Sequence, residues 1–291
     1  MRPTAKSLIL DLLSTLRRGS MPVRALVSAG TLFGIPDNNL RVALARLLAT
    51  GTVERDERGR YRLGPAAQAV DQQVVSWRRI EERAGRWRGP CGWLGVHTAN
   101  LPRARGPERR RRERALLFLG FRELSPGLHV RPDNLTAGAS GAREQLAALG
   151  LGSPAPLFRL SELDPATDRR ARGLWDVAAL RAGYRDSLRD IASSEARVPA
   201  LPIESAMVET FLLGGRVMRQ IVLDPLLPEP IAPAAERRAL VDAMRAYDRL
   251  GRTCWAEFLA RHGVPHLRNP VDLRVGEGIR ATTTPATGEA A

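Results

Sequence analysis

Residues 116–132 read LLFLGFRELSPGLHVRP. The leucines and Phe118 close a helix, Gly120 stops it, and two short apolar-polar runs follow, broken by Ser125-Pro126-Gly127. A helix that feeds a strand, a proline-glycine turn and a second strand is an α+β unit. The chain before it ends in a different pattern, and the chain after it is mostly helical in period. By itself the stretch predicts an ordinary α+β fragment.

Composition agrees with several domains. The chain has 291 residues, 44% hydrophobic and 26% charged, which fits a folded globular protein with more than one core. No apolar run is long enough to span a bilayer. Asp11 interrupts the apolar residues near the start, whose spacing is helical, and no small-residue cleavage site follows, so no signal peptide is expected. The two cysteines, Cys91 and Cys254, form no CxxC pair, and the four histidines show no ligand spacing with them. A reducing cytoplasm and no structural metal are expected. The net charge of +14 draws polyanions. Arginine bias accounts for some of it, because Lys6 is the sole lysine.

Upstream, residues 6–16 carry Leu8, Ile9, Leu12, Leu13 and Leu16 at helical spacing. A short helix over 23–29 follows Pro22, and residues 30–34 turn the chain. A third helix over 37–50 stops at Gly51, with Leu40, Ala43, Leu44, Leu47 and Leu48 on one stripe. Asn38, Asn39, Arg41, Val42, Ala45 and Arg46 lie on or near its other face. Residues 53–63 suit a hairpin with Val53, Tyr61 and Leu63 inward and its turn at 57–59. Three helices and a hairpin are the order of a winged helix-turn-helix, whose third helix enters the major groove. Asn and Arg there are the side chains able to make paired hydrogen bonds to adenine and guanine. Arg58 and Arg60 on the wing are candidates for phosphate or minor-groove contact. The same pattern also serves a three-helix interaction domain whose polar face meets water or another protein.

Several segments recur in a recognisable order. Phe33-Gly34-Ile35 precedes Leu40-Arg41-Val42-Ala43-Leu44-Ala45-Arg46-Leu47. After a helix at about 64–84 comes Trp87-Arg88-Gly89-Pro90-Cys91. Then follow Leu119-Gly120-Phe121-Arg122-Glu123-Leu124-Ser125-Pro126-Gly127, Leu174-Trp175-Asp176-Val177 with Tyr184, and Asp224-Pro225-Leu226-Leu227-Pro228. In this order, across 5–260, they resemble the PaaX family, repressors of phenylacetate-type catabolic operons. The chain departs from the family's pattern at Val42, where a threonine stands, at Arg88, where an aspartate stands, and at Cys91, where a second tryptophan stands. Trp93 lies on the same strand face as Cys91 and fills the volume in this reading.

The resemblance implies a winged helix over 1–64, a linker helix over 65–85, a ferredoxin-like α/β domain over 86–165 and a mainly helical domain over 166–270. After Pro270 few large apolar side chains remain, so a disordered tail is expected over 271–291. It implies a homodimer on double-stranded operator DNA, released by an aryl-acyl-CoA such as phenylacetyl-CoA, with no cofactor and no catalysis. Relatives of the ferredoxin-like fold include a metal-dependent nuclease with an aspartate at the end of its first strand. Here that strand, read over 91–100, holds no acid, so metal chemistry is not expected.

Two further groups have two readings each. The arginines at 109–112 with Arg114, preceded by Arg103 and Arg105, form either a solvated helix face over 107–119 or a phosphate clamp. Arg105, Arg109 and Arg110 are the candidates for that clamp, on DNA or on the effector. Trp175 and Tyr184 read as core or as the wall of an aromatic acyl pocket. The GASG of residues 138–141 lacks the lysine of a phosphate loop and reads as a turn before a helix over 142–149. Other classes left open are a nucleic-acid-processing enzyme on the ferredoxin-like domain and a DNA binder with no sensor.

Overall fold

The computed structural model describes residues 3–15, 20–56, 58–65, 67, 76–87, 92–101, 106–151 and 155–264. It is a mixed α+β structure with nine α-helices and two antiparallel sheets among those residues. None of the described helices is long and apolar enough to cross a membrane. The expected tail, Arg105 and residues 66 and 68–75 of the linker lie outside the described residues.

The first unit starts with α1 (Ala5–Ser14), capped by Thr4, whose hydroxyl accepts from the Ser7 amide while the Ser7 hydroxyl accepts from the Thr4 amide. Leu8, Ile9, Leu12 and Leu13 form its buried face. Strand β1 (Met21–Pro22) leads into α2 (Val23–Leu32), which runs three residues past the expected end. The reversal is later because the left-handed residue is Gly34, at φ +70°, and the Ile35 amide closes the turn onto Gly30. Helix α3 (Asp37–Ala49) follows and ends at Gly51, φ +63°. The hairpin is β2 (Val53–Arg55) and β3 (Arg60–Leu63), and the sheet order is β1-β3-β2.

The central unit alternates β4 (Trp93–His97), α4 (Pro107–Phe118), β5 (Arg122–Ser125), β6 (Leu128–Pro132), α5 (Gly138–Ala148) and β7 (Leu157–Leu160). Its sheet is antiparallel throughout, in the order β5-β6-β4-β7. Leu94 and Val96 face α4 and α5 in one core. Trp93 and Val130 face a second core with Trp87 and Trp175. The turn expected at 138–141 is instead the first turn of α5. Gly138 enters it at φ +60°, and burial of Ala142 and Leu146 outweighs the weak helix propensity of two glycines.

Helix α6 (Pro165–Arg172) has no counterpart in the sequence reading. Asp164 caps it, accepting from the Ala166 and Thr167 amides at 3.0 Å each. Leu174 and Trp175 precede α7 (Val177–Arg197), which Asp176 caps through the Ala179 amide at 2.8 Å. Helices α8 (Ile203–Val222) and α9 (Ala234–Arg261) are the last of the described helices. Residues 76–83 of the linker form a tight helix kinked at Arg79.

The apolar cores cross the divisions expected at 65 and 166. One joins Leu8, Leu26 and Leu44 to Met207, Trp255 and Phe258, and another joins the sheet face to Tyr184, Val217 and Tyr247. Helix α9 thus serves both.

Three of the segments quoted above, those around Leu119, Tyr184 and Asp224, meet at one buried joint. The Arg131 guanidinium donates to the Leu119 carbonyl, to Pro132 O at 3.1 Å, to Asn134 Oδ1 at 3.0 Å and to Pro225 O at 3.3 Å. Asn134 Nδ2 donates to Leu226 O at 2.7 Å. Tyr184 donates to Asp224 Oδ2 at 2.5 Å, and Asp224 Oδ1 accepts from the Leu226 amide at 2.8 Å. These bonds hold Leu226 at φ +53°, a conformation that costs a branched side chain energy. Arg237 completes the joint, paired with Glu81 at 2.7 Å and donating to Leu227 O at 3.2 Å.

Gly120 shows what this joint demands. It sits at φ +77°, and a Cβ there would lie 2.9 Å from Pro225 Cα and 3.0 Å from Pro225 O, both backbone atoms. Gly120→Ala is expected to cost about 2–4 kcal/mol from left-handed strain plus overlap. A urea midpoint equal to that of the parent protein would show that the joint gives way without penalty.

Candidate nucleic-acid interface

Helix α3 is held from beneath by Leu40, Leu44 and Leu47, all buried against α1 and α2. Asn38, Asn39, Arg41, Val42, Ala45 and Arg46 are all exposed, so the structure brings these six residues onto one open face. Gly30 allows α2 and α3 to approach closely: a Cβ there would lie 2.7 Å from Leu40 Cδ1. Arg41 does not stand free. Its Nε pairs with Asp37 Oδ1 at 2.7 Å, one turn earlier, with both side chains more than half exposed. Such an exposed pair is weak and yields readily to a phosphate or a base. The i,i+4 spacing was its sequence signal, and Asp37 was not among the expected site residues.

The hairpin turn is shaped by Asp56, whose Oδ1 accepts from the Arg58 amide at 3.0 Å and the Arg60 amide at 2.8 Å. The hydrogen bond from the Arg60 amide is the main reason the Asp56 carboxyl titrates below its ordinary range. Arg58 is exposed at this turn. Arg60 differs from the expectation of a groove contact. Its guanidinium donates to Ser20 Oγ at 2.9 Å, Ser20 O at 2.6 Å and Gly263 O at 3.1 Å. Its visible work is to tie the hairpin to β1 and to the end of α9.

The arginine helix α4 is partly self-neutralised. Arg112 pairs with Glu108 at 2.5 Å and Arg109 with Glu113 at 3.4 Å, while Arg109 and Arg110 are exposed. Neither joins the two aromatic candidates. Trp175 is buried, stacked on Trp93 with centroids 6.3 Å apart, and its indole N–H has no partner among the described residues. Tyr184 lies in the joint, where burial first and the Asp224 charge second push its hydroxyl well above the ordinary range. Its hydroxyl is committed to Asp224.

One open cleft, of about 400 Å³, lies between the edge strand β5 and helices α7 and α8. Arg122, Trp175, Asp176, Ala179, Leu180, Gly183 and Gln220 line it. Arg122 donates to the Phe121 carbonyl at 2.9 Å, and no carboxylate among the described residues pairs with it. Burial lowers its affinity for its proton. Sequence reading found Trp175 but not Arg122 or Gln220, because the lining comes from separate elements. Among the described residues no group of three His, Cys, Asp or Glu side chains could hold a metal ion.

No protein-family model matches this chain, and no curated protein does. Among solved structures it is similar to the uncharacterized protein Rv0674 from Mycobacterium tuberculosis. The TM-score is 0.54 and the identity 23%, over 86% of this chain and 98% of that one. At that identity the likeness speaks for a shared fold.

Proposed function

We propose that this protein is a DNA-binding transcriptional regulator of the PaaX type, without catalytic activity or cofactor, working in the cytoplasm. The observation that carries the reading is the α3 face, where Asn38, Asn39, Arg41 and Arg46 are exposed together on a helix anchored by buried leucines. Three helices followed by a small antiparallel sheet support a winged helix-turn-helix. The strand order β5-β6-β4-β7, interleaved with α4 and α5, supports a ferredoxin-like centre. The protein acts as a homodimer whose two α3 helices meet successive major grooves about 34 Å apart on a partly palindromic duplex.

It is a repressor released by an aryl-acyl-CoA. The cleft beside Trp175 supports an effector site, since its volume is within the range of small-molecule pockets, about 300–1,000 Å³. Leu180 and Ala179 offer apolar contact, and Arg122 offers a cation for an anionic group.

Selection from a random duplex pool, followed by titration of the selected duplex, tests the reading. Arg41→Ala is expected to weaken specific binding by roughly 1–3 kcal/mol if Arg41 reads a base. A folded variant with undiminished affinity for that duplex would remove Arg41 from the interface, and a pool that enriches nothing would end the DNA reading.

A further inference from the structure

We infer that Val42 is a specificity residue that reads the 5-methyl group of a thymine in the major groove. The inference rests on the DNA-binding reading above and names what its central residue recognises.

At about 100° per residue, Asn38, Val42, Ala45 and Ala49 fall within about 60° of one another around α3. That arc lies opposite the buried Leu40, Leu44 and Leu47. Its middle is therefore the part of the helix that stands furthest from the core. Ala45 and Ala49 are small and exposed there, so nothing on this arc holds the helix backbone away from a partner. Arg41 and Asn39 flank the arc on its two sides, with Arg46 on the side of Asn39. Val42 is the one large apolar side chain on it, 43% exposed. The other exposed large apolar side chains among the described residues, Leu117, Ile203 and Leu223, are on or beside other helices.

An exposed valine is a poor residue for a helix that meets only water. It has lower helix propensity than alanine, arginine or glutamine and leaves its methyl groups hydrated. In a major groove the balance changes. The bases present donors and acceptors there, and the thymine C5-methyl is the apolar group on a base edge. A β-branched side chain held in one main rotamer by its helix presents fixed methyl groups at little entropic cost. Polar neighbours on either side, Arg41 on one and Asn39 and Arg46 on the other, then read the adjoining donors and acceptors. The composition of the face, one large apolar side chain set among asparagine and arginine, matches a base sequence in which a thymine is bracketed by polar readout.

The test uses the full chain and the duplex it selects from a random pool. Each thymine of that duplex is replaced in turn by deoxyuridine, which removes one methyl and leaves every hydrogen-bonding group. At one position per half-site the parent protein is expected to bind about fourfold more weakly, the worth of one buried methyl. Val42→Ala is expected to bind the thymine duplex more weakly and to lose the thymine–uracil difference at that position. Alanine is the better helix former and the site is exposed, so the variant folds. If the duplex is bound specifically and every uridine is neutral, or if Val42→Ala keeps the same methyl preference, Val42 is not the reader. If no duplex is selected, the DNA-binding reading itself falls, and this inference with it.

Discussion

Arg131→Leu is expected to lower the stability of the whole chain by about 3–5 kcal/mol, measured as a shift in urea midpoint at unchanged slope. Two effects compete at this side chain. Arg131 is buried, and desolvation pulls its pKa down to about 9. A cation whose folded pKa is depressed contributes stability above its unfolded value, and that contribution is lost as pH falls through the folded value. At neutral pH the charge is therefore held at a cost, and an apolar replacement relieves it. Against this stand the acceptors Leu119 O, Pro132 O, Asn134 Oδ1 and Pro225 O, which the replacement strands away from water. Each buried acceptor left unsatisfied costs about 1–3 kcal/mol. Removing one side of a buried charged network is destabilising, whereas replacing the whole network can be neutral. The acceptors here are mostly backbone and stay behind, so the loss wins. Arg131→Lys keeps the charge without the planar fork and should fall between the two proteins. A leucine variant within 1 kcal/mol of the parent would mean that water or a local shift satisfies the stranded carbonyls.

The elements that were legible in the sequence are those with a buried apolar stripe. Leu40, Leu44 and Leu47 announced α3, Gly51 announced its end, and the alternation around Ser125-Pro126-Gly127 announced β5 and β6. Helix α6 was silent because arginines at 169, 170 and 172 leave it no stripe, and its buried residues are Asp168 and Ala171. Its one local signal was Asp164-Pro165, a cap followed by a first-turn proline. The exposed face of α3 was readable because one helix supplies all six residues. Arg60 and Tyr184 were not, because their partners are Ser20 and Gly263 in one case and Asp224 in the other. A side chain's identity shows what it can bond, while the partner that takes the bond is a property of the packing. The same holds for the cleft, whose Arg122 and Trp175 belong to segments that lie far apart along the chain.

Trp255→Ala is expected to cost about 3–5 kcal/mol and to loosen the unit that carries α3 from the rest of the chain. Trp255 on α9 is buried, and its indole N–H donates to Met207 O on α8 at 3.1 Å. Its ring meets Phe211 at 5.7 Å, Phe258 at 5.4 Å and, at the end of α2, Phe33 at 6.5 Å. Polar ties lie alongside, from Arg60 to Gly263 O at 3.1 Å and between His262 and Ser28 at 3.3 Å. The ties are weak next to an aromatic cluster, so the ring decides whether α2 and α3 stay fixed on α8 and α9. In the proposed regulator this contact has a second consequence. The cleft is lined by α7 and α8, and α8 continues to Met207 beneath Trp255, so an effector's influence on α3 has a packed route through this ring. Trp255→Ala should then retain effector binding, lose tight binding to the two-site duplex, and lose the effector's influence on what binding remains. Trp255→Phe, which keeps part of the ring contact but not the hydrogen bond, should lose less. Faster hydrogen exchange confined to α2, α3 and the hairpin would place the loosening at this joint. If the alanine variant keeps both duplex affinity and its response to effector, the aromatic cluster is ordinary core and coupling runs elsewhere.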